Sequence, residues 1–214
     1  MKFGTRTVNI LKNFQSINPS LAFKEGNIVR TMSPSKTIIA QATISESISD
    51  DFCVYDLGKF ISTLSLFEDP DFKVSGKSGV ITSGNKKVKY GFSDEKLIVT
   101  PPESLKNKLP DVVTSFNLSN EVLTSTLKAL NVLSLTDIAF VGEDGKITVS
   151  ALDSKGAISD SYSAEVGETD ADFKTVFKAE NLKLLTGDYE VEIMGKLARF
   201  KSDDLEYLVA VESV

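Results

Sequence analysis

The chain has 214 residues, a formal net charge of −6, 41% hydrophobic and 25% charged residues, which is typical of a globular protein. It contains no histidine, no tryptophan and one cysteine, Cys53. This composition excludes histidine-dependent catalysis, an HExxH zinc site, an internal disulfide and a cysteine-based zinc site. No apolar run reaches the ~18 residues of a membrane span, and the N-terminus lacks the apolar core of a secretory signal, so we expect a cytosolic protein. We also expect the single cysteine, Cys53, to be buried as a small apolar residue.

The first half of the chain begins with an amphipathic helical pattern over residues 5–17. A β-hairpin is predicted over 20–32, with Gly26 and Asn27 at its turn. Residues 52–67 predict a short strand that continues into a short second helix. Further strands are predicted at 37–44, 71–76, 86–92 and 96–100.

The second half repeats this order of elements. A third helix is predicted over 119–133, and a hairpin over 137–152 with Asp144 and Gly145 at its turn. Residues 173–185 again predict a strand that continues into a short helix. Further strands are predicted at 158–166, 188–194, 197–202 and 206–212.

Three prolines between residues 101 and 110 mark a joint, because proline continues neither a helix nor a central strand. The sequence therefore predicts an α+β chain of two similar domains, 1–108 and 109–214, with a connector around 101–115. Each domain is expected to pack two helices on antiparallel sheets.

Every predicted helix combines an apolar face with a basic exposed face. The exposed faces carry Lys12 with Arg6 at its margin, then Lys59, Lys128 and Lys183. The side chains expected to be buried beneath them are Val8, Ile10, Leu11, Phe14, Ile17, Leu57, Phe60, Ile61, Leu64, Leu123, Leu127, Leu130, Leu182 and Leu185. Asp56 and Ser119 are expected to cap the second and third helices.

These basic faces belong to an acidic chain. The first 110 residues carry 15 lysines and arginines against 11 acids, and the remainder carries 9 against 19. Lysines scattered among serine, threonine and asparagine give weak, sequence-independent attraction to phosphate. No helix carries the asparagine and arginine cluster that recognises base edges, so sequence-specific binding is not expected.

Several strings together resemble the sliding clamps of DNA replication, most closely those of T-even-type phages. The strings are Leu11-Lys12-Asn13-Phe14, Ile17-Asn18, Tyr55-Asp56-Leu57-Gly58-Lys59-Phe60, Leu64-Ser65-Leu66, Asn181-Leu182-Lys183, Gly187-Asp188-Tyr189 and Tyr207-Leu208-Val209-Ala210-Val211-Glu212. The resemblance covers essentially the whole chain. It implies a DNA-clamp fold and a homotrimeric ring that encircles duplex DNA and tethers the replicative polymerase in the infected bacterial cytoplasm.

The resemblance also assigns roles to individual residues. Those expected to face DNA are Lys2, Arg6, Lys12, Lys59, Lys128, Lys178 and Lys183. Peptides from the DNA polymerase and the ATP-dependent clamp loader are expected in a hydrophobic pocket formed by Met32, Ile38, Leu109, Val112, Val113, Val209 and Val211. Neighbouring subunits are expected to join through edge strands around 86–92 and 159–164. Some phage relatives also recruit transcription machinery, which the sequence leaves open for this chain.

Two other classes of function stay open on the sequence alone. A hydrolase with paired carboxylates needs no histidine, but tryptophan is absent and the acids fall in loops and turns. A β-rich virion protein would not need basic helix faces. The acids Glu165, Glu168, Asp170 and Asp172 lack the spacing of a calcium-binding loop. We expect no catalytic residue, metal or cofactor.

Overall fold

The structure is a computed structural model that describes residues 1–102, 109–156 and 160–212. The chain divides into two compact units, Met1–Glu103 (unit 1) and Ser104–Val214 (unit 2). The predicted domain boundary after residue 108 adjoins residues 103–108, which are outside the described part.

Three α-helices and fifteen strands are described. The helices are α1 (Thr5–Ile17), α2 (Leu57–Leu64) and α3 (Asn120–Val132). In unit 1 the strands are β1 (Leu21–Phe23), β2 (Gly26–Met32), β3 (Ile38–Ile48), β4 (Phe52–Val54), β5 (Asp71–Ser75), β6 (Ser78–Ser83) and β7 (Lys86–Gly91). In unit 2 they are β8 (Thr114–Leu118), β9 (Asp137–Glu143), β10 (Lys146–Leu152), β11 (Tyr162–Glu168), β12 (Phe173–Lys178), β13 (Tyr189–Ile193), β14 (Leu197–Lys201) and β15 (Leu205–Ala210).

The predicted hairpin over residues 20–32 is wrong, although both of its strands exist. β1 pairs antiparallel with β4, with Leu21 opposite Val54, and β2 pairs antiparallel with β3. Gly26 has a φ of 109° and is the first residue of β2, where the register shifts before Ile28. The glycine therefore serves an irregular strand start rather than a two-residue hairpin turn.

The end of the first sheet region also differs from the prediction. Residues 96–100 do not form a strand; a 3₁₀ turn covers Glu95–Leu97, and the side chain of Asp94 accepts a hydrogen bond from the Lys96 backbone at 2.9 Å. The strand that completes this sheet is instead β6, which lies between β5 and β7. This strand was not predicted, although it contains the β-branched residues Val80, Ile81 and Thr82. Gly79 lies so close to Phe72 that a Cβ would stand 2.3 Å from the ring.

Aromatic side chains dominate the core of unit 1. Phe23 stacks on Phe52 with ring centroids 4.4 Å apart, and Phe60 from α2 meets Phe72 edge to face at 5.4 Å. Cys53 is buried, as expected. Offset and edge-to-face contacts of this kind add to the hydrophobic gain from burial, so this cluster holds α2 against the strands.

Unit 2 contains two antiparallel arrangements, β11-β10-β9-β12 and β15-β14-β13-β8. The predicted hairpin is confirmed: β9 and β10 flank Asp144 and Gly145, whose φ angles of 52° and 79° suit a two-residue turn. Strand β8 was not predicted, because its five residues alternate too briefly to give a pattern.

The predicted fourth helix is wrong in kind. The segment after β12 forms only a 3₁₀ turn, Ala179–Asn181, without a side-chain cap at Lys178. Leu182 and Leu184 are buried, whereas Leu185 is half-buried. Alternate burial is the spacing of extended chain rather than of a helix. Among its described residues, unit 2 therefore contains one α-helix instead of the two that were expected.

Candidate nucleic-acid interface

The first basic helix face is positioned by a carboxylate from another element. Gly4 caps α1 without a side chain of its own. Glu46 of β3 accepts hydrogen bonds from the Gly4 backbone at 2.5 Å and from Thr7 Oγ1 at 2.6 Å. Burial raises the pKa of Glu46, but these hydrogen bonds outweigh it and hold the pKa below its usual range. A negative group here also suits the helix dipole.

The apolar face of α1 is confirmed, with Ile10, Leu11, Phe14 and Ile17 buried and Val8 half-buried. Lys12 is exposed on the opposite face. The direction in which Lys12 points is therefore fixed by burial of the other face and by the Glu46 anchor.

Helix α2 lies close against α1. A Cβ at Gly58 would stand only 2.6 Å from Nε2 of Gln15, so glycine permits the approach. Asp56 is the predicted cap and accepts a hydrogen bond from the Lys59 backbone at 2.8 Å. The phenol of Tyr90 donates to the Asp56 carbonyl at 3.0 Å. These contacts leave the Lys59 side chain exposed.

Helix α3 has the equivalent arrangement in unit 2. Ser119 accepts from the Val122 backbone at 3.3 Å, as predicted, and Asp188 accepts from the Asn120 backbone at 2.7 Å. Lys128 is exposed. The buried row differs from the prediction, because Thr126 rather than Leu127 is fully buried.

Thr126 can replace a leucine because its hydroxyl donates to the Val122 carbonyl at 2.8 Å. A threonine whose hydroxyl donates to a carbonyl of the preceding helical turn has its hydrogen-bonding group satisfied and can be buried. Helical spacing alone could not distinguish this buried threonine from a polar residue on the helix surface.

The exposed lysines of the three helices share one property. Within the described residues, Lys12, Lys59 and Lys128 have no ion-pair partner, and Arg6 is also exposed. A lysine that is not neutralised within its own chain can offer its full charge to an external anion. The geometry therefore suits weak contact with a polyanion.

The other three predicted DNA-facing residues lie in different surroundings. Lys2 forms an ion pair with Asp69, and Lys178 forms one with Asp137 at 2.5 Å. Lys183 is half-buried beyond the 3₁₀ turn. These lysines have less charge or less surface to offer than Lys12, Lys59 and Lys128.

Asp137 is the most completely buried carboxylate of the described residues, with 0% exposure. Burial raises its pKa, but hydrogen bonds from Lys178, Ser154 and Thr136 outweigh that effect and lower the pKa from 3.8 to about 2. The carboxylate thus ties the start of β9 to the end of β12 and to the turn after β10. Asp137 and Lys178 are also opposite each other in the register, so the ion pair joins the two strands at this end of the sheet.

The residues proposed for the peptide pocket divide between the units. In unit 1, Met32 and Ile38 are buried. In unit 2, Val112 and Val113 are exposed, at 47% and 49%. Leu109 and Val211 are half-buried, and Val209 is fully buried.

The structure also bears on the other classes of function. Residues 1–102, 109–156 and 160–212 contain no group of three histidine, cysteine or acidic side chains placed to hold a metal ion. In the same described stretches, no helix has the length and hydropathy needed to span a bilayer.

Solved structures similar to this chain are clamps. The PCNA2–PCNA3 complex of Sulfolobus tokodaii has a TM-score of 0.70 at 15% identity, covering 96% of this chain and 95% of that chain. A. fulgidus PCNA with the C-terminal region of FEN-1 has a TM-score of 0.70 at 13% identity, covering 97% and 95%. Helicobacter pylori beta clamp bound to a DNA ligase peptide also scores 0.70, at 17% identity, covering 100% of this chain and 65% of that chain. The fold is therefore the DNA-clamp fold.

Sequence comparison narrows this class. A family described as DNA polymerase processivity factor matches residues 4–90, and one described as gp45 sliding clamp, C terminal, matches residues 115–213. The sliding clamp of Vibrio phage KVP40 is 34% identical over the full length of both chains. That of Escherichia phage RB69 is 30% identical, covering 100% of this chain and 97% of its own. The chain belongs to the phage sliding-clamp family of polymerase processivity factors.

Glu46 and Asp188 are the site-positioning residues that sequence reasoning missed. Glu46 acts on a helix that begins about 40 residues earlier, so no local pattern could connect them. Asp188 stands in one of the strings that resemble the family, but nothing in the sequence indicated that it holds α3.

Proposed function

We propose that three copies of this chain close a ring around duplex DNA in the infected bacterial host and that the ring tethers the replicative polymerase. A closed ring leaves long DNA only by opening or by reaching an end, so retention is topological. A tethered polymerase that releases its template rebinds at high effective concentration. The role needs no bond-making step.

The observation that carries this proposal is the charge of the helix faces. A chain of net charge −6 exposes Lys12, Lys59 and Lys128, unneutralised within the described residues, on helices of both units. Few, screened phosphate contacts attract duplex DNA without holding one position. Tight binding would oppose sliding, because every contact would break as the ring moves.

We further propose that the polymerase and the clamp loader bind through short peptides to the predicted apolar pocket. Two solved clamps of the same fold hold such segments, one from DNA ligase and one from FEN-1. In unit 2 the exposed Val112 and Val113 offer apolar surface next to β8. Replacing both with aspartate should weaken binding of a polymerase tail peptide and leave association of the chain unchanged.

The helix lysines can be tested with a matched pair of variants. The K12E/K59E/K128E variant should lose about tenfold in polymerase processivity on a primed circular template, because three attractive contacts become repulsive. The control K73E/K155E/K174E makes the same change of charge at exposed residues outside the three helices. It should keep processivity, and equal loss in both variants would contradict a specific role for the helix faces.

Encirclement itself is tested by the shape of the DNA. The loaded protein should remain on a closed circular duplex through gel filtration and leave once the circle is cut. Equal retention on circular and linear DNA would show that direct binding contacts, rather than encirclement, hold the protein on DNA.

A further inference from the structure

One buried side-chain amide joins three separate segments of unit 1. Asn18 follows the last residue of α1, is 3% exposed, and its backbone donates to the Phe14 carbonyl at 2.8 Å. The side-chain nitrogen donates to the Met32 carbonyl at 2.9 Å and to the Val99 carbonyl at 3.3 Å. The side-chain oxygen accepts from the backbone and from the hydroxyl of Ser20, both at 3.0 Å. The amide thus uses both of its N–H groups and both lone pairs of its oxygen.

The partners fix the direction in which this amide points. A carbonyl can only accept and a backbone N–H can only donate, so the nitrogen faces the two carbonyls and the oxygen faces Ser20. The backbone of Ser33 donates to the Ile38 carbonyl at 2.9 Å, and alternation along an antiparallel pair then directs the carbonyl of the preceding residue, Met32, away from β3. Among the described residues, β3 is the only strand paired with β2. Asn18 therefore satisfies a carbonyl that the sheet leaves to another partner.

These hydrogen bonds hold two distant parts of the chain side by side. Met32 ends β2 and is one of the residues expected in the partner-peptide pocket, and Val99 lies just before the predicted connector around 101–115. Because one nitrogen atom lies within 3.3 Å of both carbonyl oxygens, the backbones of Met32 and Val99 are neighbours. Asn18 thus sets the position of the chain that enters the connector against the end of β2.

The segment that Asn18 holds exposes apolar side chains. Leu97 is 65% exposed and Val99 is 41% exposed, whereas Ile98 between them is buried. The backbone of Ile98 is extended, with φ −115° and ψ 132°, so its two neighbours project away from the core that its own side chain enters. Single exposed apolar residues are ordinary, but adjacent ones on a fixed backbone are typical of interaction surfaces.

We propose that Leu97 and Val99 form an apolar contact surface for the polymerase tail peptide and that Asn18 positions this surface beside Met32. The inference rests on the peptide binding proposed above and extends it beyond the residues expected from the sequence. The occupant is an apolar part of that peptide, because the shared amide makes this surface continuous with Met32. Asn18 is buried and acts through two backbones, so it is a positioning residue rather than a contact.

Serine substitutions test the contact surface. A fluorescein-labelled peptide with the C-terminal sequence of the cognate polymerase is titrated with the protein, and fluorescence anisotropy gives the dissociation constant. The L97S/V99S variant should raise this constant about tenfold, because two apolar contacts are lost. The matched control, L66S/V132S, makes the same substitutions at a leucine and a valine that are 67% and 72% exposed. The control should bind the peptide like the unmodified chain.

Asn18→Ala tests the positioning. Without the amide, the carbonyls of Met32 and Val99 lose their common donor, so the dissociation constant for the peptide should rise about tenfold, while retention on circular DNA stays unchanged. The control Ser20→Ala keeps both hydrogen bonds from the Asn18 nitrogen and should bind the peptide normally. Urea unfolding shows whether each variant is folded under the assay conditions. If Asn18→Ala is not folded, L97S/V99S still decides, because its substitutions are at exposed residues.

Combining the substitutions separates positioning from a general loss of structure. If Asn18 acts through Leu97 and Val99, the N18A/L97S/V99S variant should weaken peptide binding by less than the product of the separate effects, whereas independent effects would multiply. The proposal is overturned if L97S/V99S binds normally, if L66S/V132S loses as much affinity, or if the effects multiply. An unmodified chain that does not bind the peptide would reject the peptide binding proposed above as well. Normal binding by both the unmodified chain and L97S/V99S would keep that binding and reject this surface.

Discussion

Unit 1 buries α2 through Leu57, Phe60, Ile61 and Leu64, at positions i, i+3, i+4 and i+7. The matching segment of unit 2 buries Leu182 and Leu184, which are two residues apart. The first spacing is helical and the second is extended. Asp56 caps α2, but Lys178 at the matching point donates to Asp137 and provides no cap. Two segments that look alike in sequence therefore differ because one has a cap and a helical stripe.

The difference affects the surface as well as the core. α2 carries Lys59 on its exposed face, while the 3₁₀ turn leaves Lys183 half-buried. In unit 2 hydrogen bonds hold the segment after the 3₁₀ turn: the Leu185 backbone donates to Tyr207 Oη at 3.2 Å, and Tyr189 donates to the Leu185 carbonyl. The helix pair of unit 1 should thus contribute more to contact with DNA than its counterpart.

The largest expected effect is the loss of folding stability when a core side chain is truncated in one unit or the other. Phe60→Ala removes a ring that meets Phe72 and Tyr90 and should cost about 4 kcal/mol, whereas Leu184→Ala should cost about 2 kcal/mol. Hydrogen exchange with mass spectrometry follows each unit separately. Loss of protection should be concentrated in unit 1 for the first variant and in unit 2 for the second. Uniform loss across both units would contradict the separation into two cores.

A second effect concerns acid and the carboxylate of Asp137 in unit 2. The pKa of Asp137 is about 2 in the folded chain and 3.8 in the reference state. A lowered pKa gives stability that is present above about pH 4 and is lost as pH falls towards 2, worth about 2 kcal/mol. Urea unfolding between pH 6 and pH 2 should show this loss.

Asp137→Asn provides the control for the acid prediction. This variant should be less stable at neutral pH, because Lys178 loses its partner, and its stability should depend less on pH in the same range. An unchanged slope would show that other carboxylates cause the acid sensitivity.

The smallest expected effect is on polymerase processivity and compares the surface lysines Lys59 and Lys183. Lys59→Gln should lower polymerase processivity about twofold, because one exposed phosphate contact is lost. Lys183→Gln should change processivity little, since its side chain is half-buried. The order of the two effects is the test: a larger loss for Lys183→Gln would place the 3₁₀ turn, rather than α2, against DNA.

The elements that could be predicted are those whose signals lie within a few residues. Amphipathic periodicity gave α1 and α3, Asp56 and Ser119 gave helix caps, and Asp144 with Gly145 gave a hairpin. Each of these depends on neighbouring side chains, so a single sequence contains the required information. The basic exposed faces followed from the same periodicity.

Other features required the tertiary structure. β1 pairs with β4 rather than with β2, because strand partners are chosen by contacts distant in sequence. The anchor from Glu46 to Gly4, and the burial of Thr126, likewise depend on groups that fold together only in three dimensions.

The sequence by itself thus determined the number and order of most elements, the duplicated α+β organisation and the basic faces of three helices. Only the tertiary structure decided the pairing of the strands, the reduction of the fourth helix to a turn, and which lysines keep their charge unneutralised. The physical reason is the separation in sequence between interacting residues. Hydrophobic periodicity and capping involve residues within one or two helical turns. Hydrogen bonds between strands and ion pairs such as Lys178 with Asp137 join residues far apart in the chain.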